Sequence, residues 1–135
     1  PYTKFLCNYA FDLLEEGILT KNYEKIVIGS LIDGLGFGNS STTLGHALSY
    51  VYSNEGISHG HALAFTTAIA HKFNDSKFHQ RFQKIVKQLD FPKINLKESI
   101  DIAADTILLD RKHLDNNPVT VNKKQIINLL KQIQY

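Results

Sequence analysis

The sequence predicts an all-α, bundle-like domain of about seven helices. Apolar residues recur at helical spacing along most of the chain, and residues that favour helix N-caps precede several of these segments. No alternating apolar and polar stretch is long enough to require a strand. A length of 135 residues, 43% of them hydrophobic, fits one domain with a real core, so residues 1–135 are treated as one domain.

The N-terminal half of the chain holds four of the predicted helices. They cover residues 4–16, 22–37, 42–52 and 60–73. Thr3 is expected to be the N-cap of the first helix, and Gly17 is expected to end it. The apolar side chains of the second helix are expected to face the core: Ile26, Val27, Leu31, Ile32 and Leu35. Since a glycine costs about 1 kcal/mol relative to alanine in a helix, the glycines of this helix indicate close backbone packing: Gly29, Gly34, Gly36 and Gly38.

The C-terminal half holds three more helices. Residues 74–76 are expected to cap a helix that ends near residue 89, before Phe91 and Pro92. A capping-box pattern at residues 95–98 precedes a helix that ends near residue 109. A second capping box at residues 122–125 starts the last helix, whose inward side chains are expected to be Ile126, Leu129, Leu130 and Ile133.

The charged residues are nearly balanced and dispersed. Lysine and arginine together number 15 against 13 aspartates and glutamates, and the formal charge of +2 is typical of a solvated surface without a nucleic-acid partner. No apolar run approaches the roughly 20 residues that cross a membrane. The one cysteine, Cys7, is expected to be a small buried residue in a reducing compartment, which favours a cytoplasmic protein.

The chain begins with Pro1 and contains no methionine. We interpret this as a processed or excised segment. Residues upstream of Pro1 could therefore complete a functional site of which only one part is visible in this sequence.

Three of the six histidines, His46, His59 and His61, fall within residues 43–64, a stretch almost free of charge. His46 lies on the third predicted helix and His59 at the start of the fourth. A tight connection between these helices could bring both imidazoles to one point, as a metal site requires. By spacing alone the signal is weak, and a pair of ordinary hydrogen-bonded histidines is the simpler explanation.

Residues 21–74 resemble the C-terminal helical domain of the iron-containing (group III) alcohol dehydrogenases. The resemblance rests on three motifs in the order found in that family: Phe37-Gly38-Asn39, Gly45-His46-Ala47 and Ser58-His59-Gly60. The tail at residues 110–120 is similar to the end of these enzymes, so the resemblance covers nearly the whole chain.

The resemblance implies that His46 and His59 are metal ligands. In this family an aspartate and a histidine on an earlier helix complete a site for a divalent metal. The expected metal is Fe²⁺, and Zn²⁺ is the second candidate. An N-terminal α/β domain binds NAD(P)H. Neither part lies in this sequence, so the chain is expected to supply half a site and to be inactive alone. In the complete enzyme the metal would polarise an aldehyde while hydride is transferred to it. A homo-oligomer is compatible with the resemblance.

Two positions depart from the family pattern. Tyr50 stands where many members carry a further histidine, and Ser58 stands where they carry proline. The surrounding sequence is similar to the branch that reduces phosphonoacetaldehyde, which implies an anionic aldehyde as substrate. The two arginines, Arg81 and Arg111, lie away from the histidines in sequence, so neither is assigned to such a substrate.

Several residues have two interpretations. Tyr50 is a candidate pocket residue that could donate a hydrogen bond to substrate, but a core tyrosine is slightly favoured. His61 could line the pocket or orient a ligand, or it could face solvent or a neighbouring loop. Asn39 is expected to cap or brace the turn before the third helix. The remaining histidines are expected to be ordinary surface or helix-end residues: His71, His79 and His113.

Two other functions remain open at this point. Dehydroquinate synthases have a similar helical domain, but they typically place glutamate where this chain has His61. A non-catalytic helical binding module is the second alternative, and it predicts that His46 and His59 point apart.

Overall fold

The computed structural model describes residues 2–134, and in this range the chain forms eight helices and no strand. They are α1 (Tyr2–Thr20), α2 (Tyr23–Phe37), α3 (Leu44–Asn54), α4 (His59–Phe73), α5 (His79–Leu89), α6 (Ile100–Leu108), α7 (Arg111–Asp115) and α8 (Lys123–Gln134). The all-α prediction is confirmed, and the helix that the sequence did not predict is the short α7. Among these helices none combines the length and the apolar character needed to span a membrane.

The core is built around α3. This helix buries side chains along most of its length, and it packs against α4, α6 and α7. Buried residues of α6 and α8 complete the same cluster, among them Ala103, Ala104, Ile107, Ile126 and Leu130. Because α3 is held from several sides, the residues that it carries have fixed positions.

The start of α8 agrees with its prediction. Gln125 N–H donates to Asn122 Oδ1 at 2.9 Å, and Asn122 N–H donates to Gln125 Oε1 at 2.9 Å. This reciprocal pair is a capping box. The four apolar side chains predicted to face inward are all buried: Ile126, Leu129, Leu130 and Ile133.

Two other predicted helix starts are wrong. α6 has its N-cap at Ser99, whose hydroxyl accepts a hydrogen bond from Ile102 N–H at 3.3 Å, so the capping-box pattern at residues 95–98 is not used. α5 begins at His79 without a side-chain cap, and the Ser76 hydroxyl accepts from Phe78 N–H within the preceding turn. Residues 74–76 offer three cap residues in a row, and Ser99 follows Asn95 by four residues, so each pattern left more than one possible N-cap.

The prediction that α1 starts after Thr3 and ends at Gly17 is wrong at both ends. Thr3 lies inside the helix, which continues through Gly17 to Thr20. Gly17 is buried against α2, where a Cβ atom would approach Ile26 Cγ1 to 2.8 Å. The glycine therefore permits close contact between two helices and does not end one. Lys21, with a φ of 56°, follows the helix.

The predicted inward face of α2 is only partly buried. Val27, Leu31 and Leu35 are 68%, 66% and 54% exposed, whereas Ile26 and Ile32 are half-buried. The reason is that α2 packs mainly against α1, and it does so through its glycines. Close packing is confirmed at Gly29 and Gly36, which approach Leu14 and the half-buried Cys7, but Gly34 has no neighbour within 4 Å.

Candidate functional site

His46 and His59 lie together where α4 packs against α3. The connection between these helices is short, with Gly56 at a φ of 94° and Ile57 N–H donating to the Tyr52 carbonyl at 3.2 Å. A positive φ favours glycine because it has no Cβ. The two ring centroids are 5.4 Å apart, with an interplanar angle of 61°. A non-catalytic module predicted that the two imidazoles point apart. The contact between the rings does not agree with that prediction.

Four aromatic side chains form a closed cycle of contacts, which we call the four-ring cluster: His46, His59, Tyr50 and His113. The centroid separations around the cycle are 5.4 Å for His46 and His59, 5.8 Å for His59 and Tyr50, 5.5 Å for Tyr50 and His113, and 6.0 Å for His113 and His46. α3 supplies two of the rings, and α4 and α7 supply one each. Three separate helices thus converge on one small region.

His113 is the member of this cluster that the sequence analysis missed. It lies in the last turn of α7 but is only 7% exposed, so the prediction of a surface position is wrong. Asp110 fixes it: His113 Nδ1 lies 2.7 Å from both Asp110 carboxylate oxygens, and Asp110 Oδ1 accepts from His113 N–H at 3.3 Å as the cap of α7. The spacing of an aspartate three residues before a histidine was the available signal.

The Asp110 contact determines which nitrogen of His113 remains open. A carboxylate only accepts hydrogen bonds, so Nδ1 of His113 carries a proton in this pair. In the neutral ring Nε2 then holds the free lone pair. No described residue forms a hydrogen bond with this Nε2 in the structure.

The surroundings of His46 favour its neutral form. Burial lowers the pKa of His46, and the neighbouring His59 and His113 lower it further, while Asp110 acts in the opposite direction. Neutral imidazole is the form that coordinates a metal. The site therefore favours the protonation state that ligation needs.

Tyr50 is not a core residue, which corrects the interpretation that was slightly favoured. Its side chain is 40% exposed, and its ring stacks on His59 with an interplanar angle of 15°. This places the aromatic ring of Tyr50 in the wall of the four-ring cluster, open to solvent on one side.

His61 lies outside the four-ring cluster. Its Nε2 is 2.6 Å from the Pro92 carbonyl oxygen, and its ring stacks on Phe91 at 4.9 Å. These contacts correspond to the interpretation in which His61 faces a neighbouring loop. Asn39 behaves as predicted, since its side-chain amide donates to the Leu35 carbonyl at 2.8 Å and braces the end of α2.

Both arginines are held by carboxylates. Arg81 donates to Asp12 at 2.6 Å and to Glu15 at 2.5 Å, which ties α5 to α1. Arg111 pairs with Asp115 one turn along the chain. Both guanidinium groups thus already have carboxylate partners.

The donor set fits part of a transition-metal site. In the range 2–134 no three His, Cys, Asp or Glu side chains converge into a group that could hold a metal ion. His46 and His59 offer two imidazoles in edge-to-face contact, with one of them favoured in the neutral state. A catalytic site normally needs about three protein ligands and an open position. The two imidazoles therefore suit a site that other side chains complete.

Comparison with known proteins identifies the family. The model of the Fe-containing alcohol dehydrogenase family, C-terminal, matches residues 3–107. The chain belongs to this family. The matched residues run from within α1 to within α6 and contain His46 and His59, but they end before α7 and His113. Searches of the curated proteins and of the solved structures found no match. The family that matches favours the alcohol dehydrogenase interpretation over a dehydroquinate synthase.

Proposed function

We propose that this chain is the C-terminal portion of a metal-dependent, NAD(P)-linked alcohol dehydrogenase or aldehyde reductase, with His46 and His59 as two of the metal ligands. One observation carries the proposal: the ring centroids of His46 and His59 are 5.4 Å apart, and both residues lie in the segment that matches the family. The packing of α4 against α3 brings the two rings together.

The ligands offered here favour a borderline divalent metal. Imidazole suits iron and zinc, so Fe²⁺ is the first candidate and Zn²⁺ the second. Two imidazoles bind weakly by themselves, and the resemblance implies that an upstream aspartate and histidine complete the coordination. The same resemblance implies an N-terminal domain that binds NAD(P)H, and both parts belong to the proposal.

The residues of this chain would have separate roles at the reacting centre. A bound metal supplies Lewis-acid polarisation of the aldehyde oxygen. His46 and His59 would hold the metal, and their rings have fixed positions because α3 is packed into the core and the tight connection fixes the start of α4. Tyr50 and His113 form the remaining walls, and Asp110 keeps the His113 ring in a defined orientation.

The proposed substrate is a small aldehyde or alcohol. An anionic aldehyde such as phosphonoacetaldehyde, which the sequence suggested, would need a cationic partner. In the described part of the chain Arg81 and Arg111 pair with carboxylates, and Asp110 adds a negative charge near the site. The two arginines therefore give no support to the anionic branch. We propose a cytoplasmic enzyme that could form a homo-oligomer.

The test of this proposal is metal retention in the full-length enzyme. His46→Ala and His59→Ala should each remove most of the bound metal, measured by elemental analysis, together with most of the aldehyde reductase activity. His79→Ala is the matched control, because His79 lies on α5 outside the four-ring cluster, and its metal content should equal that of the wild type. Metal content unchanged in all three variants would contradict the assignment.

A further inference from the structure

A groove of about 790 Å³ runs between α4, α5 and α8, and none of its lining residues belongs to the four-ring cluster. α5 and α8 each pack against α4. Apolar side chains from all three helices form its floor: Phe65, Ala68, Ile69, Val86 and Ile133. We call it the basic groove, for the charges of its rim.

The formally charged residues on the rim of the basic groove are all lysines. Lys72, Lys84, Lys87 and His79 line it together with glutamines, and no carboxylate is among its described lining residues. Lys72 Nζ donates to Gln132 Oε1 at 3.2 Å. Within residues 2–134 the salt bridges involve other basic residues, such as Arg81 and Lys123, which already pair with carboxylates. Among the described residues, no carboxylate forms a salt bridge with Lys72, Lys84 or Lys87.

The groove is long enough for a helix. A second cavity of about 190 Å³ shares Ile69, Lys72 and Gln132 with it and continues along α4 and α8 to Phe73 and Leu129. From Phe65 to Phe73 an α-helix rises roughly 12 Å, about two turns. This extended apolar floor with a charged rim matches the face of an amphipathic helix.

We propose that the basic groove docks an acidic amphipathic helix of a partner protein. The partner's apolar side chains, spaced at helical intervals, would cover the floor, as in other helix-in-groove complexes. Its flanking aspartates or glutamates would face Lys72, Lys84 and Lys87, and this charge complementarity would select the partner and speed association. Since the groove shares no residue with the four-ring cluster, the inference is independent of the proposed metal chemistry.

The experiment uses the full chain and a fluorescent synthetic helix that has a leucine stripe and glutamate flanks. Fluorescence anisotropy should show binding that weakens as the salt concentration rises, because salt screens exposed charges. Lys84→Glu/Lys87→Glu should weaken binding by about tenfold or more. The control Lys4→Glu/Lys97→Glu changes the net charge equally at two exposed lysines outside the groove, and it should bind as the wild type does.

Two further arms separate a docking groove from a simple charge effect. A peptide with the same leucine stripe and lysine flanks, and a scrambled acidic peptide without a stripe, should both bind at least about tenfold more weakly than the acidic helix. Val86→Gln should weaken binding by making the floor polar, and circular dichroism checks the folding of every variant.

Several results would overturn the proposal. Equal loss in both double variants would show a general charge effect, and tight binding of the scrambled peptide would show a polyanion surface. Absence of binding by the acidic helix would remove the groove as a helix site. A change in the mass of the unliganded protein on Lys84→Glu/Lys87→Glu, measured by light scattering, would show that a second copy occupies the groove instead.

Discussion

At the scale of single residues, His46 owes its position to neighbours on both sides of it along α3. Leu44, Ala47 and Leu48 are buried in the core, and the Ser49 hydroxyl donates to the His46 carbonyl at 2.8 Å. Rotation of α3 would expose these apolar side chains to water, which costs free energy. The backbone that carries His46 is therefore fixed in the absence of a metal or substrate.

The histidines of the four-ring cluster were not equally predictable. His59 begins α4 directly after the connection, but His46 lies near the start of α3, so their contact depends on how α4 packs against α3. His113 lies on α7, far along the chain, and only the packing of α7 against α3 brings its ring close to His46 and Tyr50. No local pattern specifies that contact. The family resemblance pointed to His46 and His59, whereas His113 lies outside the three motifs that carry it.

The first prediction concerns Asp110, which caps α7 and binds His113. Asp110→Ala should lower the free energy of unfolding by about 1–2 kcal/mol, because the N-cap is lost. Asp110→Asn should lower it less, because asparagine is also a good N-cap. Chemical denaturation of the two variants checks this order, and equal stability of Asp110→Ala and the wild type would contradict it.

The second prediction concerns His71, which lines a cavity with Cys7 and Asp33. Burial, and secondly the charge of His79, lower the pKa of His71 in the folded state. The unfolded chain therefore binds more protons as the pH falls through about 6.5, and the folded state loses stability there. The thermal midpoint should fall between pH 7 and pH 5, and it should fall less in His71→Gln. An identical pH dependence in both proteins would exclude this role.

At the scale of the helices, local sequence patterns predict which segments are helical more reliably than they predict which other elements bury a helix. The cap and the apolar stripe of α8 were predicted correctly, because both lie within consecutive turns. The apolar stripe of α2 is equally visible in the sequence, yet Val27 and Leu31 are exposed. A periodic pattern identifies the apolar side of a helix, but another element must be present to bury it.

The third prediction compares two glycines at the scale of helix packing. Gly17→Ala should destabilise the fold by about 1–3 kcal/mol through overpacking, because the new Cβ would approach Ile26 Cγ1 and the backbone oxygen of Asn22. Gly34→Ala is the matched control, since nothing lies within 4 Å of its Cβ position, and it should stabilise α2 by up to about 1 kcal/mol. Thermal unfolding measures both, and the same sign of change in both variants would contradict the packing argument.

At the scale of the whole molecule, α1 and α2 expose many large apolar side chains, including Phe5, Tyr23 and Leu31. Exposed apolar surfaces of this kind mark an interaction site or a tendency to aggregate. In the proposed enzyme, the parts of the protein that carry the remaining ligands and the nucleotide could cover this surface.

The fourth prediction follows from this exposed surface. The 135-residue chain alone should self-associate as its concentration rises, measured by sedimentation equilibrium. Leu31→Lys/Leu35→Lys, one turn apart on α2, should shift the equilibrium toward monomer. Leu109→Lys is the control, because Leu109 is 82% exposed but lies beyond α6, and it should have little effect. A wild-type chain that stays monomeric at all concentrations would contradict the prediction.

The central claim is that His46 and His59 coordinate one metal ion in the complete enzyme. X-ray absorption spectroscopy of the full-length, metal-loaded protein tests it most directly, because scattering from imidazole rings reports the number of histidine ligands. We predict that His46→Gln and His59→Gln each lower this number by one relative to the wild type. A histidine count unchanged in both metal-loaded variants would show that these two side chains do not bind the metal.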